Sequence, residues 1–168
     1  MLKLIGAKTG LFAALVVAGG LTGAAVLVPG TAFAGMPHSS LSTQLKCPQR
    51  VTTGGKGTCT LYVTDNGADS AGSVSASIVL PGPLNPSGCT LGRSWWGCAV
   101  SYGVAFAQLG SLHHGQTKSL SVTFSGHLPG RGWQRTHAER VSVRGYAQDN
   151  ASRWSSSATV TILPRFVR

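Results

Sequence analysis

The sequence predicts an all-β protein, a seven-stranded antiparallel sandwich of two sheets behind a cleavable signal peptide. Three observations carry this reading. Apolar and polar residues alternate with period two in seven segments beyond residue 40, as in strands with one buried face. Gly, Pro, Asn and Asp cluster between those segments as turn formers. Past residue 34 no stretch sustains an i, i+3, i+4, i+7 apolar stripe.

The leader is residues 1–34. Lys3 and Lys8 give a positive start, and an apolar run covers residues 11–28. Pro29-Gly30 then breaks the run ahead of Ala32-Phe33-Ala34, whose small residues suit a signal peptidase. Gly35 is the expected first residue of the mature chain. A retained anchor is the alternative, because about 18 apolar residues is the lower edge for a spanning helix. Against it stand Gly19, Gly20 and Gly23 within the run, and the next Lys or Arg is as distant as Lys46. No later segment reads as a span. Residues 35–40 are then a short linker, 41–164 the sandwich domain and 165–168 a basic tail.

In the first segment Leu41, Thr43, Leu45 and Cys47 share a face. Cys59, Leu61 and Val63 mark the second, and Val74, Ala76, Ile78 and Leu80 the third. The fourth is expected to run through Cys98, Val100, Tyr102, Val104 and Phe106 as one strand. Leu120, Val122 and Phe124 form the fifth, Val141 and Val143 the sixth, and Ala158, Val160 and Ile162 the seventh. Turns are expected at Gly54-Gly55, Asn66-Gly67, Pro81-Gly82-Pro83, His114-Gly115, Pro129-Gly130 and Asp149-Asn150. Seven short strands over this length point to an immunoglobulin-like sandwich. Residues 81–96 and 126–139 read as long irregular connections, where binding usually resides on such a scaffold.

Cys47 and Cys59, and Cys89 and Cys98, form two close pairs. Sequential pairing closes two short loops, each contributing about 2–3 kcal/mol. A zinc site is disfavoured, because no C-x-x-C spacing occurs and an exported chain meets an oxidising environment. The whole chain carries a formal charge of +10. That imbalance says nothing about fold but favours association with polyanions outside the cell.

The stretch Val63-Thr64-Asp65-Asn66-Gly67-Ala68-Asp69-Ser70-Ala71-Gly72 resembles the T-N-x-G-x-x-x-A turn of the immunoglobulin-like repeat domain of bacterial cell-surface proteins, a family of unknown function. Leu80-Pro81 matches its strand ending in L-P, and Cys89 and Cys98 its cysteine-bearing loop. Residues 109–115 match its L-x-x-L-x-x-G turn, followed by a Thr- and Val-rich strand at residues 118–124. The resemblance spans residues 41–163 as a single copy, and Asp65 stands where the family has Asn. It implies a sandwich that spaces or displays binding surfaces on the cell exterior, and it carries over no catalytic residue.

Candidate chemistry is sparse. Only four acids exist, and Asp65 and Asp69 flank a turn, where Asp is a common turn former. Asp65, Asn66 and Asp69 fall short of the oxygen ligands calcium requires. There is no G-x-S-x-G elbow. His113 and His114 lie in a turn, as a weak surface metal candidate. No cofactor and no metal is expected. The stronger set is aromatic and basic, suited to stacking sugars or gripping anionic polymers: Arg93, Trp95, Trp96, Arg131, Trp133, Arg135, Arg140, Arg144, Arg153 and Trp154. Packing of some Trp in the core, with Arg guarding a strand edge, is the competing explanation. His127 and His137 accompany the second loop.

The expected function is a non-enzymatic secreted or loosely surface-associated binding or structural module. Its expected partner is an anionic cell-wall polymer or another surface protein, with no specific nucleic acid. The tail has no L-P-x-T-G signal. Two alternatives remain. A small secreted hydrolase would need a pocket joining Asp149 or Glu139 to a histidine. An inhibitor or toxin-like factor would present residues 81–96 as a rigid loop.

Overall fold

A computed structural model describes residues 40–92, 97–128 and 137–165. The leader, most of the linker and the last three tail residues lie outside the described residues. So do Arg93, Trp95, Trp96, Arg131, Trp133, Arg135 and the Pro129-Gly130 turn.

Among the described residues there are ten strands and no helix. They are β1 (Leu41–Lys46), β2 (Arg50–Thr52), β3 (Lys56–Asp65), β4 (Ala71–Val79), β5 (Leu84–Leu91), β6 (Cys98–Ser101), β7 (Val104–Leu112), β8 (Thr117–Gly126), β9 (Glu139–Gln148) and β10 (Arg153–Leu163). One sheet has the order β1-β3-β8-β5 and the other β2-β10-β9-β4-β7-β6. The two inner faces meet in one core. Leu61, Val63, Leu120, Val122 and Phe124 come from the first sheet, and Val74, Ile78, Val143, Val160 and Ile162 from the second. The sheets approach closely at Gly145, where an added Cβ would lie 2.7 Å from Leu61 Cδ1.

Ten strands replace the expected seven for three physical reasons. The expected fourth strand is a hairpin, β6–β7, whose tip is Tyr102-Gly103 with φ of 47° and 78°. Two successive positive φ values make the two-residue turn that matches strand twist. Because Val100 then pairs with Ala105, the inward positions after the turn are Ala105, Ala107 and Leu109, leaving Phe106 and Tyr102 outside. Second, β5 occupies the expected irregular loop of residues 81–96. Pro86 is tolerated because β5 is a sheet edge, and a register shift between Pro86 and Gly88 lets both Leu84 and Cys89 face the core. Third, β2 is only three residues long, too short to display a period. It pairs in parallel with β10, so the sandwich is not wholly antiparallel.

The 126–139 connection does join two strands, β8 and β9. In β4 and β7 two irregularities offset each other. Ser73 (φ 52°) adds a residue to β4 and Gly110 (φ 70°) one to β7, so Ala71 and Leu112 pair again and both point inward.

The cysteines pair as 47–59 and 89–98. The first bridge lies within one sheet, just past the Lys46–Thr60 pair of β1 and β3. The second joins β5 at the edge of the four-stranded sheet to β6 at the edge of the six-stranded sheet, stapling the sandwich along one side.

Candidate functional site

The outward face of the six-stranded sheet collects the basic and aromatic side chains. In β9, Val141, Val143, Gly145 and Ala147 are buried, so Arg140, Arg144, Tyr146 and Gln148 face outward. In β10, Val160 and Ile162 are buried, which turns Arg153, Ser155, Ser157 and Thr161 outward. Val51 of β2 is buried and Arg50 exposed, and Arg50 lies beside Thr161, itself opposite Arg140. Four arginines therefore share one face. The four acids lie elsewhere: Asp65 and Glu139 at inward positions of β3 and β9, Asp69 and Asp149 in turns.

Registers set a row across this face. Ser155 is opposite Tyr146, Tyr146 opposite Ser77, Ser77 opposite Phe106, and Phe106 opposite Ala99. The small Ser77 leaves an open groove of about 140 Å³ between the two aromatic rings, rimmed by Ser75, Gln108, Gln148 and Arg153. A second groove, about 420 Å³, lies beyond Phe106 against Gly97, Cys98 and Ala99. A third, about 240 Å³, lies beside Tyr146 against Arg144, Ser155 and Ser157. No carboxylate or imidazole lines any of the three. The Arg153 guanidinium rests over the Tyr146 ring, 4.1 Å from its centroid.

Of the expected site residues, Arg140, Arg144 and Arg153 are brought together here. Trp154 sits on the opposite, inward side of β10, half-buried against the core, so it packs rather than joining its neighbour Arg153. Reading the sequence missed Arg50, Tyr146 and Phe106. Continuing the Val141–Val143 alternation would have placed Tyr146 outside. Recognising the Tyr102-Gly103 turn would have done so for Phe106.

Two of the acids and two of the histidines brace turns. Buried Asp65 accepts Gly67 N–H at Oδ1 (2.9 Å) and Ala71 N–H at Oδ2 (3.0 Å). Both carboxylate oxygens are thus engaged by the turn itself. His114 Nδ1 lies 2.7 Å from the Gly67 carbonyl and His113 Nδ1 3.0 Å from Ser70 Oγ, tying the β7–β8 turn to the β3–β4 turn. Asp149 Oδ1 accepts N–H from Ala151 (2.8 Å) and Ser152 (2.7 Å) in the β9–β10 turn. Glu139 opens β9, half-buried, while His127 and His137 are exposed. Among the described residues no three His, Cys, Asp or Glu gather as metal ligands. With residues 84–91 in a paired strand, the rigid loop required of an inhibitor is reduced to the short stretches flanking β5.

No protein-family model matches the chain, and no curated protein matches it. Several solved structures are similar in outline. A protein solved under the description "AvmM Catalyzes Macrocyclization in Alchivemycin A Biosynthesis" is 8% identical, with 79% of this chain and 93% of that one covered and a TM-score of 0.49. The CARDB domain of a Pyrococcus furiosus protein, in complex with di-metal ions, is 10% identical over 74% of this chain and 89% of that one, with a TM-score of 0.47. A cohesin module from a Clostridium perfringens family 33 glycoside hydrolase is 12% identical over 74% and 98%, with a TM-score of 0.43. At such identities and scores, none of these likenesses bears on what this chain binds.

Proposed function

We propose that the chain is an exported, non-enzymatic binding module of immunoglobulin-like architecture, whose six-stranded sheet holds anionic extracellular polymers. The observation that carries this is the acid-free outward face with Arg50, Arg140, Arg144 and Arg153. Cationic side chains with no acidic partner on their own face favour a polyanion from outside. The strand order supports the architecture: β1, β3, β8 and β5 stand as A, B, E and D of an immunoglobulin sheet, and β4, β9 and β10 as C, F and G, with β6–β7 an added hairpin. Two disulfides suit an oxidising compartment. Cleavage after Ala34 and release from the membrane belong to the same proposal. Among the described residues no helix is long and apolar enough to cross a membrane.

Retention of the purified protein on anionic cell-wall material in low salt tests the proposal. Release is expected as added salt shortens the screening length from about 10 Å at 0.1 M to about 3 Å at 1 M. Failure to bind in low salt, or binding that salt does not weaken, overturns it.

A further inference from the structure

We propose that the groove floored by Ser77, between Tyr146 and Phe106, is a sugar-ring subsite, and that the polymer held on this face is an acidic polysaccharide with carboxylates on alternate rings. This rests on the polyanion-binding reading above and adds the substrate class.

Four features of the face converge on that chemistry. Phe106 is 49% exposed, although a face built only for solubility gains nothing from a phenyl ring in water. A flat apolar ring is matched by the C–H face of a pyranose. Tyr146 and Phe106 belong to strands on either side of β4, so their backbones stand about 9.5 Å apart, with only Ser77 between them. The groove between the two side chains is open, about 140 Å³, and Ser75, Gln108 and Gln148 around it supply donors and acceptors for the hydroxyl groups of a sugar ring.

Arg153 supplies the anion contact. Its guanidinium carbon lies 4.1 Å from the Tyr146 ring centroid, and the side chain lines the groove. A guanidinium fork at this position suits a bidentate carboxylate.

Charge spacing separates a polysaccharide from a polynucleotide or polyphosphate. Arg140 and Arg144 are four residues apart on β9, and Arg153 lies opposite Gln148, four further along. Successive cations are thus about 13 Å apart along the strands. In a duplex each strand carries a charge every ~3.4 Å of helix axis, far denser than these cations, so most of its phosphates would go unmet here. A chain charged on alternate rings suits such sparse cations.

The test is titration of the purified protein with a hyaluronan oligosaccharide, which carries a carboxylate on every second ring. Polyphosphate and a single-stranded oligodeoxynucleotide are compared at equal charge. Hyaluronan is expected to bind tightest. Phe106→Ala, Ser77→Tyr and Arg153→Gln should each weaken it by about tenfold, and Phe106→Ala should leave polyphosphate binding unchanged. All three positions face solvent, and an unchanged circular dichroism spectrum confirms that each variant folds. If either comparison polymer binds as tightly as hyaluronan, or if hyaluronan ignores Phe106→Ala and Ser77→Tyr, the subsite is overturned while polyanion binding stands. If no polyanion binds in low salt, both readings fall.

Discussion

The two outward faces of the sandwich differ in how they use their polar groups. On the four-stranded sheet, hydroxyls pair with each other across strands: Thr60 with Ser121 and Thr64 with Thr117, each at 2.8 Å. Its lysines are two, Lys46 and Lys56, and Lys46 lies 5.3 Å from the Tyr62 ring centroid. On the six-stranded sheet, four arginines and two aromatic rings are set among serines, with Arg153 on Tyr146 as their stacked contact. Cross-strand pairs stabilise a sheet by fractions of a kcal/mol. One face thus pairs its hydroxyls with each other, while the other gathers arginines with no acid beside them. Under the proposed function, the same strand chemistry yields a structural face and a receptive one.

Charge reversal should break that comparison most visibly. Arg140→Glu, Arg144→Glu and Arg153→Glu together should weaken binding to anionic wall material by about a hundredfold, the scale of two or more charge-assisted contacts. Lys46→Glu with Lys56→Glu should change it much less. Equal losses in a binding isotherm would dissolve the distinction between the faces. Next in size is Gly145→Ala, which pushes a methyl into Leu61 beneath the arginine face. Urea unfolding should show a loss of about 1–3 kcal/mol, the usual scale of overpacking. A smaller effect is expected from the hydroxyl pair on the other sheet. A double-mutant cycle on Thr60→Val and Ser121→Ala should give a coupling below about 1 kcal/mol, with polymer binding unchanged. The smallest concerns Ser156, opposite Gly145 on the inward side of β10, whose buried Oγ has no hydrogen-bond partner among the described residues. Ser156→Ala should be neutral or stabilising by up to about 1 kcal/mol in the same urea assay, since it removes an unsatisfied group.

Six strands were legible in the sequence because their burial is one-sided and long enough to repeat: β1, β3, β4, β8, β9 and β10. The others were hidden by local chemistry. Prolines at 81, 83 and 86 read as a loop, though an edge strand has no use for the missing N–H. Tyr102 holds a positive φ usually given to Asn or Gly, so the hairpin tip carried no ordinary turn signature. The sequence singled out Arg140, Arg144 and Arg153 as basic residues beside aromatic ones. That they share a face with Arg50 and Phe106 depends on which strands are neighbours, and pairing across long separations leaves no trace in a local window. Trp154 shows the converse: adjacent to Arg153 in sequence, it points the other way because successive strand residues alternate.

The Cys47–Cys59 bridge also governs how tension would travel through the domain. A pull applied ahead of Cys47 crosses the sulfurs into Cys59, in the interior of β3. Residues 48–58 form a closed side loop off that load path. Strand β2, with its parallel hydrogen bonds to β10, lies inside the loop and would stay slack while β3, anchored between two neighbours, bears the strain. Reducing the bridge would reroute the force through β2 and set it sliding against β10.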